Sequence, residues 1–199
     1  MKSVITIDGP SGVGKTTIGQ EIASKLDFQF FSSGKLYRFI SKYSYDKKSK
    51  NFDEFQLTID INGNCFINKI NYNDEELYTK NLNKHSSEIA KDPLVRDLVK
   101  TTLLRFYKEI VNNDIYYGLV IEGRDMGSVV FPRAKYKIYL DADKNIRGKR
   151  REHQSDLQET MEEINKRDYE DMNREASPLV IPEDAILIDN TKKTIDETI

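Results

Sequence analysis

At 199 residues the chain suits one α/β domain, with room for small insertions and a sizeable buried core. Its net charge is −2 with 32% charged residues, which argues against a broad basic field for nucleic acid or anionic membrane. The single cysteine, Cys65, excludes an internal disulfide framework, and two distant histidines, His85 and His153, make no metal cluster. No run of about 18 apolar residues occurs and no signal peptide precedes the first strand, so a cytoplasmic enzyme without membrane contact is expected.

Val4 to Ile7 alternates β-branched residues as a strand does, and the chain then breaks at Gly9-Pro10-Ser11-Gly12-Val13-Gly14 before Lys15-Thr16-Thr17. Gly9, Gly14, Lys15 and Thr16 fit the phosphate-loop spacing G-x-x-x-x-G-K-[ST]. Without Cβ atoms such a loop can curl until its N–H groups face phosphate oxygens. The helix starting near Lys15 turns its positive end toward the same anion. Lys15 is placed to reach the β- and γ-phosphates of ATP, and the Thr16 hydroxyl to ligate Mg²⁺. Ile18, Ile22 and Leu26 give this helix an apolar stripe.

Phe28–Phe31 reads as a buried strand, followed by a helix with Leu36, Ile40 and Tyr43 on one face and Ser32 or Ser33 as its cap. Residues 44–54 read as an exposed, lysine-rich connection. Residues 55–61 and 64–70 are β-patterned around Asn62-Gly63, which predicts a hairpin with a type I′ turn and Cys65 packed inside it. Residues 74–90 are expected to form one helix, and Asp92-Pro93 starts another, with Leu94, Leu98, Val99, Leu103, Phe106 and Ile110 buried. Arg96 falls off that face and reads as solvated. Leu119–Ile121 is a buried strand that delivers Arg124 and Asp125 to the rim holding the phosphate loop, since ligands of open parallel sheets sit beyond the strands' carboxyl ends.

Tyr136–Leu140 is the next strand, and Asp143 caps a helix carrying Arg147, Lys149, Arg150 and Arg151. Ser155 and Gln158 suggest a capping box for a further helix with Leu157, Met161 and Ile164 as its apolar stripe. On its polar side Arg167, Asp171 and Arg174 share one face, as a surface ion-pair ladder also would. Ala185–Ile188 is a last strand and Thr194 opens a short final helix.

In order along the chain, Ile7-Asp8-Gly9-Pro10-Ser11-Gly12, Ser33-Gly34, Tyr37-Arg38, Gly123-Arg124-Asp125-Met126-Gly127, Val129-Val130-Phe131-Pro132, Arg167-Asp168, Asn173-Arg174 and Ser177-Pro178-Leu179 resemble the bacterial cytidylate kinase family over nearly the full length. The resemblance implies a P-loop NTPase-type parallel sheet flanked by helices, in a single domain 1–199. It also implies a nucleoside-monophosphate-binding insertion at 41–91, made of a hairpin and helices, and a short helical lid at 145–168. The implied activity is transfer of the γ-phosphoryl group of ATP to CMP, and to dCMP, by a monomer using Mg²⁺. Residues 9–17 would hold ATP. Ser33, Arg96 and Asp125 would meet the cytosine, Ser87, Arg167 and Asp171 the ribose, and Arg38, Arg124 and Arg174 the acceptor phosphate. Lys15, Arg124, Arg167 and Arg174 would be catalytic. A carboxylate at 125 suits the N4 amino donor of cytosine and opposes the O4 acceptor of uracil.

Two departures stand out. Ser32 occupies a position where the family carries Asp, which bears on Mg²⁺, and the segment between Arg151 and Leu157 is short. Rival readings are a phosphate-loop kinase for UMP or a sugar acid, a guanine-nucleotide switch suggested by Asn165-Lys166-Arg167-Asp168, and a nucleotide-binding module without catalysis.

Overall fold

A computed structural model describes residues 2–154 and 160–199. The chain runs β1 (Ser3–Asp8), α1 (Lys15–Leu26), β2 (Gln29–Ser32), α2 (Gly34–Lys47), β3 (Leu57–Ile59), β4 (Cys65–Ile67), α3 (Asp74–Leu77) and α4 (Lys80–Ile89). It continues through α5 (Pro93–Val111), β5 (Gly118–Gly123), β6 (Tyr136–Asp141), α6 (Lys144–Gln154), α7 (Met161–Asn173), β7 (Ile186–Asp189) and α8 (Ile195–Thr198). Five parallel strands form the main sheet in the order β2-β5-β1-β6-β7. The order reverses at β1, which sends β2 to one side and β6 to the other, so the crevice past its carboxyl end is where an open sheet binds ligands.

Successive strand residues point to opposite faces, and β5 shows what that does. Leu119 and Ile121 join the larger core, with Phe31, Phe39, Leu103 and Phe106, between the sheet, α2, α5 and the hairpin. Val120 faces the other way, into a core with Ile5, Ile7, Ile18 and Leu140. Register then aligns the strand ends: Ser32 lies beside Glu122, and Asp8 beside Gly123. No helix among the described residues is long and apolar enough to cross a membrane.

Several local expectations are corrected. Leu26 and Leu94 are 45% and 55% exposed, because each sits at a helix end beyond the core edge. Ser33 is the N-cap of α2 but makes no side-chain cap bond. The lysine-rich connection is helical as far as Lys47, and Phe52 within it is buried. Residues 74–90 form two helices, since Thr79 accepts from the Leu82 N–H and restarts the chain as a new cap. The hairpin turn has only Gly63 at positive φ (82°). Gly63 N–H donates to the Asp60 carbonyl at 2.9 Å, and the Asp60 carboxylate accepts from Asn62 and Asn64 N–H. That is a three-residue loop with a bulge at glycine, and Asp60, not the Asn-Gly pair alone, selects it. Cys65 is fully buried in the hairpin, and burial pushes its thiol up to about 12. Ser155, Leu157 and Gln158 lie outside the described residues. The capping box of α7 is formed instead by Thr160 and Glu163. Arg174 is extended and stands just past the end of α7, so it leaves the helical face expected for it.

Candidate active site

The loop after β1 is shaped by backbone that only glycine adopts easily. Gly9 has φ 147°, and a Cβ there would lie 2.2 Å from the Leu140 carbonyl oxygen. Gly14 is the left-handed N-cap of α1, so Lys15 begins the helix with its side chain turned back over the loop. Lys15 Nζ donates to the Gly9 and Pro10 carbonyls at 2.8 and 2.7 Å. Burial, reinforced by the nearby Arg124 charge, pushes this ammonium down to about 7. A polyanion arriving at the loop would reverse that, because its charge favours the protonated amine.

Thr16 Oγ1 donates to Glu122 Oε1 at 2.8 Å, joining the start of α1 to the end of β5. A hydroxyl and a carboxylate beside a phosphate loop are the oxygen donors Mg²⁺ uses when it keeps waters and binds nucleotide phosphates. The pair therefore fits that ion, and Glu122 provides a carboxylate directly beside Ser32 in the sheet. Asp8, on β1, accepts from the Met126 and Gly127 N–H groups at 2.8 and 2.7 Å, tying the loop that bears Arg124 and Asp125 to the strand that launches the phosphate loop.

Burial pushes the Asp8 carboxyl up to about 6 from its ordinary 3.8, against the pull of those two N–H groups. The folded protein thus holds this proton more tightly than the unfolded chain does. The stability it contributes is complete below about pH 4 and is lost as pH rises to about 6, ~3 kcal/mol in all. Asp8→Asn is expected to flatten that slope, read from urea midpoints between about pH 4 and 7. An unchanged slope would assign the titration elsewhere.

Across the crevice a set of arginines converges. Arg38 is 8% exposed, and its Nε donates to Asn83 Oδ1 at 3.0 Å while Tyr78 lies over its guanidinium. Arg124 Nε donates to Asp171 Oδ2 at 2.9 Å, and Arg174 donates to Asp171 Oδ1 at 3.0 Å. One carboxylate thereby spaces two guanidinium groups. Burial opposes its charge, but Arg124, Arg174 and Arg167 together hold Asp171 below the usual carboxylate range. Arg174 also keeps a buried Nη2 with no acceptor among the described residues, a donor suited to an anion.

Arg96, read from its helix as solvated, is only 7% exposed. Its Nη2 stands 3.2 Å from Asp125 Oδ2, and its Nη1 donates to Tyr37 Oη at 3.0 Å. Burial pushes Asp125 up, while Arg96 and Arg174 pull it down without cancelling the rise.

A single cleft of about 660 Å³ brings these groups together. Its lining includes Ser11, Gly12, Gly14, Lys15, Thr16 and Thr17 on the side of the glycine loop. It includes Ser33, Arg38, Ser87, Arg96, Arg124, Asp125, Arg167, Asp171 and Arg174 on the other. Gly9 and Pro10 contribute carbonyls to Lys15 from beneath, and Val13 points into the core at 1% exposure. Sequence reasoning gave no role to Glu122, Tyr78 and Asn83, nor to Tyr37, which it quoted only within a family motif. For Glu122 the signal was available, since it ends the same strand that delivers Arg124 to the rim. Tyr78 and Asn83 gave none, because their roles depend on how α4 packs on α2. Arg147, which the resemblance puts in the lid, is 3% exposed and turned toward the phosphate loop.

The family model for cytidylate kinase matches residues 5–199. A cytidylate kinase of Thermosipho africanus (strain TCF52B) is 37% identical over 98% of this chain and 90% of its own length. One from Mesomycoplasma hyopneumoniae (strain 7448) is 36% identical over 98% of this chain and 89% of its own. Among solved structures, TT1252 from Thermus thermophilus shares the fold, with TM-score 0.57 at 16% identity over 98% of this chain and 92% of that one. A phosphate loop facing an arginine cluster, in a chain with those relatives, places this protein in the cytidylate kinase family, as an ATP-dependent kinase that phosphorylates CMP.

Proposed function

We propose that the cleft divides into a donor half, residues 9–17, and an acceptor half, and that it takes dCMP as well as CMP. The observation that carries this reading is the meeting of Lys15 with Arg38, Arg124 and Arg174 on one cleft. An oxygen of the acceptor's phosphate attacks the γ-phosphorus of ATP. A new P–O bond forms there as the bond to the β–γ bridging oxygen breaks, and ADP leaves. The attacking oxygen is already anionic, so no side chain has to remove a proton, and catalysis consists of alignment and charge stabilisation. Lys15 follows the β- and γ-phosphates. Arg38, Arg124 and Arg174 grip the acceptor phosphate as bidentate donors.

Asp125, set by Arg96, accepts from the cytosine N4 amino group, and Ser33 lines the same end. Ser87, Arg167 and Asp171 flank the ribose. Thr16 and Glu122 would hold Mg²⁺, which when bound would supply positive charge beside the donor phosphates. Residues 41–91 act as the acceptor-binding lobe and 145–168 as the lid, in a cytoplasmic monomer with no nucleic-acid or membrane partner. The guanine-switch reading is disfavoured because Asn165 to Asp168 lie inside α7, with the Asp168 carboxylate engaged by Ser11 N–H at 2.9 Å.

ADP formation with CMP, dCMP and cytidine tests the reading. CMP and dCMP are expected within about tenfold of each other in kcat/KM, and cytidine at least about 10³-fold lower, because it brings no phosphate to the three arginines. Cytidine turned over at a comparable rate would remove the arginines' assigned role.

A further inference from the structure

The two halves of the cleft are joined by a buried clasp that the transfer chemistry itself does not use. Asp168 is 4% exposed, and each of its carboxylate oxygens has a separate partner. Oδ1 accepts from the Ser11 N–H at 2.9 Å, inside the phosphate loop. Oδ2 accepts from Arg147 Nη1, and Arg147 Nη1 also donates to the Ser11 carbonyl at 2.9 Å. Arg147 is anchored in turn by its Nε, which donates to the Ala142 carbonyl at 3.1 Å. The residue after Ser11 packs against the same helix, since a Cβ on Gly12 would lie 2.6 Å from the Arg147 carbonyl oxygen. One helical turn beyond Asp168, on the same side of α7, Asp171 holds Arg124 and Arg174. A single helix therefore grips the donor loop with one carboxylate and the acceptor arginines with the next.

We propose that Asp168, acting with Arg147, is a positioning residue: through α7 it couples the seating of the acceptor to the shape of the phosphate loop. This rests on the acceptor assignment above. Acceptor binding fixes Arg124 and Arg174, Asp171 transmits their position to α7, and Asp168 transmits the position of α7 to the Ser11 peptide. The carboxylate is required at both oxygens. An amide would turn a donor NH₂ toward either the Ser11 N–H or the Arg147 guanidinium, which are themselves donors.

Amide ¹H–¹⁵N spectra of the full chain, titrated with CMP alone, test the coupling. In the wild type, CMP is expected to shift the Ser11 and Gly12 resonances together with that of Asp125. In Asp168→Asn the Asp125 shift is expected to persist while those of Ser11 and Gly12 disappear. The same variant is expected to lose about a hundredfold in kcat with KM for CMP within about threefold of wild type. A general weakening of the structure would raise KM for both substrates together.

A wild-type Ser11 amide indifferent to CMP while Asp125 responds would overturn the coupling, as would a variant with unchanged kcat. An Asp125 amide that ignores CMP would overturn the acceptor assignment beneath it. The wild-type titration decides the matter even where Asp168→Asn fails to fold.

Discussion

Lys15→Met is expected to lower kcat for CMP phosphorylation by about 10³-fold while leaving the fold intact. The charge matters more than the volume. Lys15 starts α1 under a left-handed glycine cap, so its stem is directed over the loop and its ammonium lies against the Gly9 and Pro10 carbonyls. Methionine fills the same space without a charge to follow the γ-phosphoryl group as it moves between two anions. Two carbonyls lose a donor, at about 1–3 kcal/mol each. That loss is offset because an ammonium no longer has to be buried, a burden already visible in its depression to about 7. Thermal melts without nucleotide are accordingly expected to stay within a few degrees of wild type. A kcat within about tenfold of wild type would remove Lys15 from the chemistry.

The second large effect is expected at Asp125. Asp125→Ala is expected to raise KM for CMP by about 10²-fold while KM for ATP changes by less than about threefold. Two physical effects add here. The carboxylate no longer accepts from the N4 amino group, and Arg96 is left buried opposite an apolar side chain, 7% exposed with its ion partner gone. Breaking a buried pair costs about 3–5 kcal/mol, so the melting temperature is expected to fall as well.

Asp125→Asn separates the two effects. Its amide oxygen can still face Arg96, while its NH₂ can donate to the O4 of uracil, so the preference for CMP over UMP is expected to shrink in this variant. Equal changes in KM for ATP and CMP in the alanine variant would remove the base-recognition role.

The phosphate loop and the β5 rim were legible because local rules decide them: glycine positions, strand alternation and the strand-end location of ligands. That Ser33, Arg38, Ser87, Arg96, Arg167, Asp171 and Arg174 share this cleft was expected only through the family resemblance. Taken from the helix alone, Arg96 belonged in water, because it lies off the stripe of Val99, Leu103 and Phe106. It is buried because Asp125, just past the end of β5, meets it there. Arg147 shows the same limit: nothing in its own helix announces that Asp168 and the Ser11 carbonyl, from elsewhere in the fold, bury it.

The hairpin shows a finer limit. Asn62-Gly63 correctly marked a turn, but the Asp60 side chain captured two N–H groups and changed its type. Helix periodicity and turn propensity see neighbours in sequence, whereas these outcomes depend on neighbours in space.

Steady-state ADP release, measured with ATP alone and then with CMP, UMP, AMP or GMP added, tests the assembled site most directly. Turnover with CMP is expected to exceed that with either purine monophosphate by at least about 10²-fold, and ATP alone is expected to give almost none. ATP consumed at the same rate with and without CMP, or AMP accepted as readily as CMP, would contradict a cleft built to pass a phosphoryl group to a cytosine nucleotide.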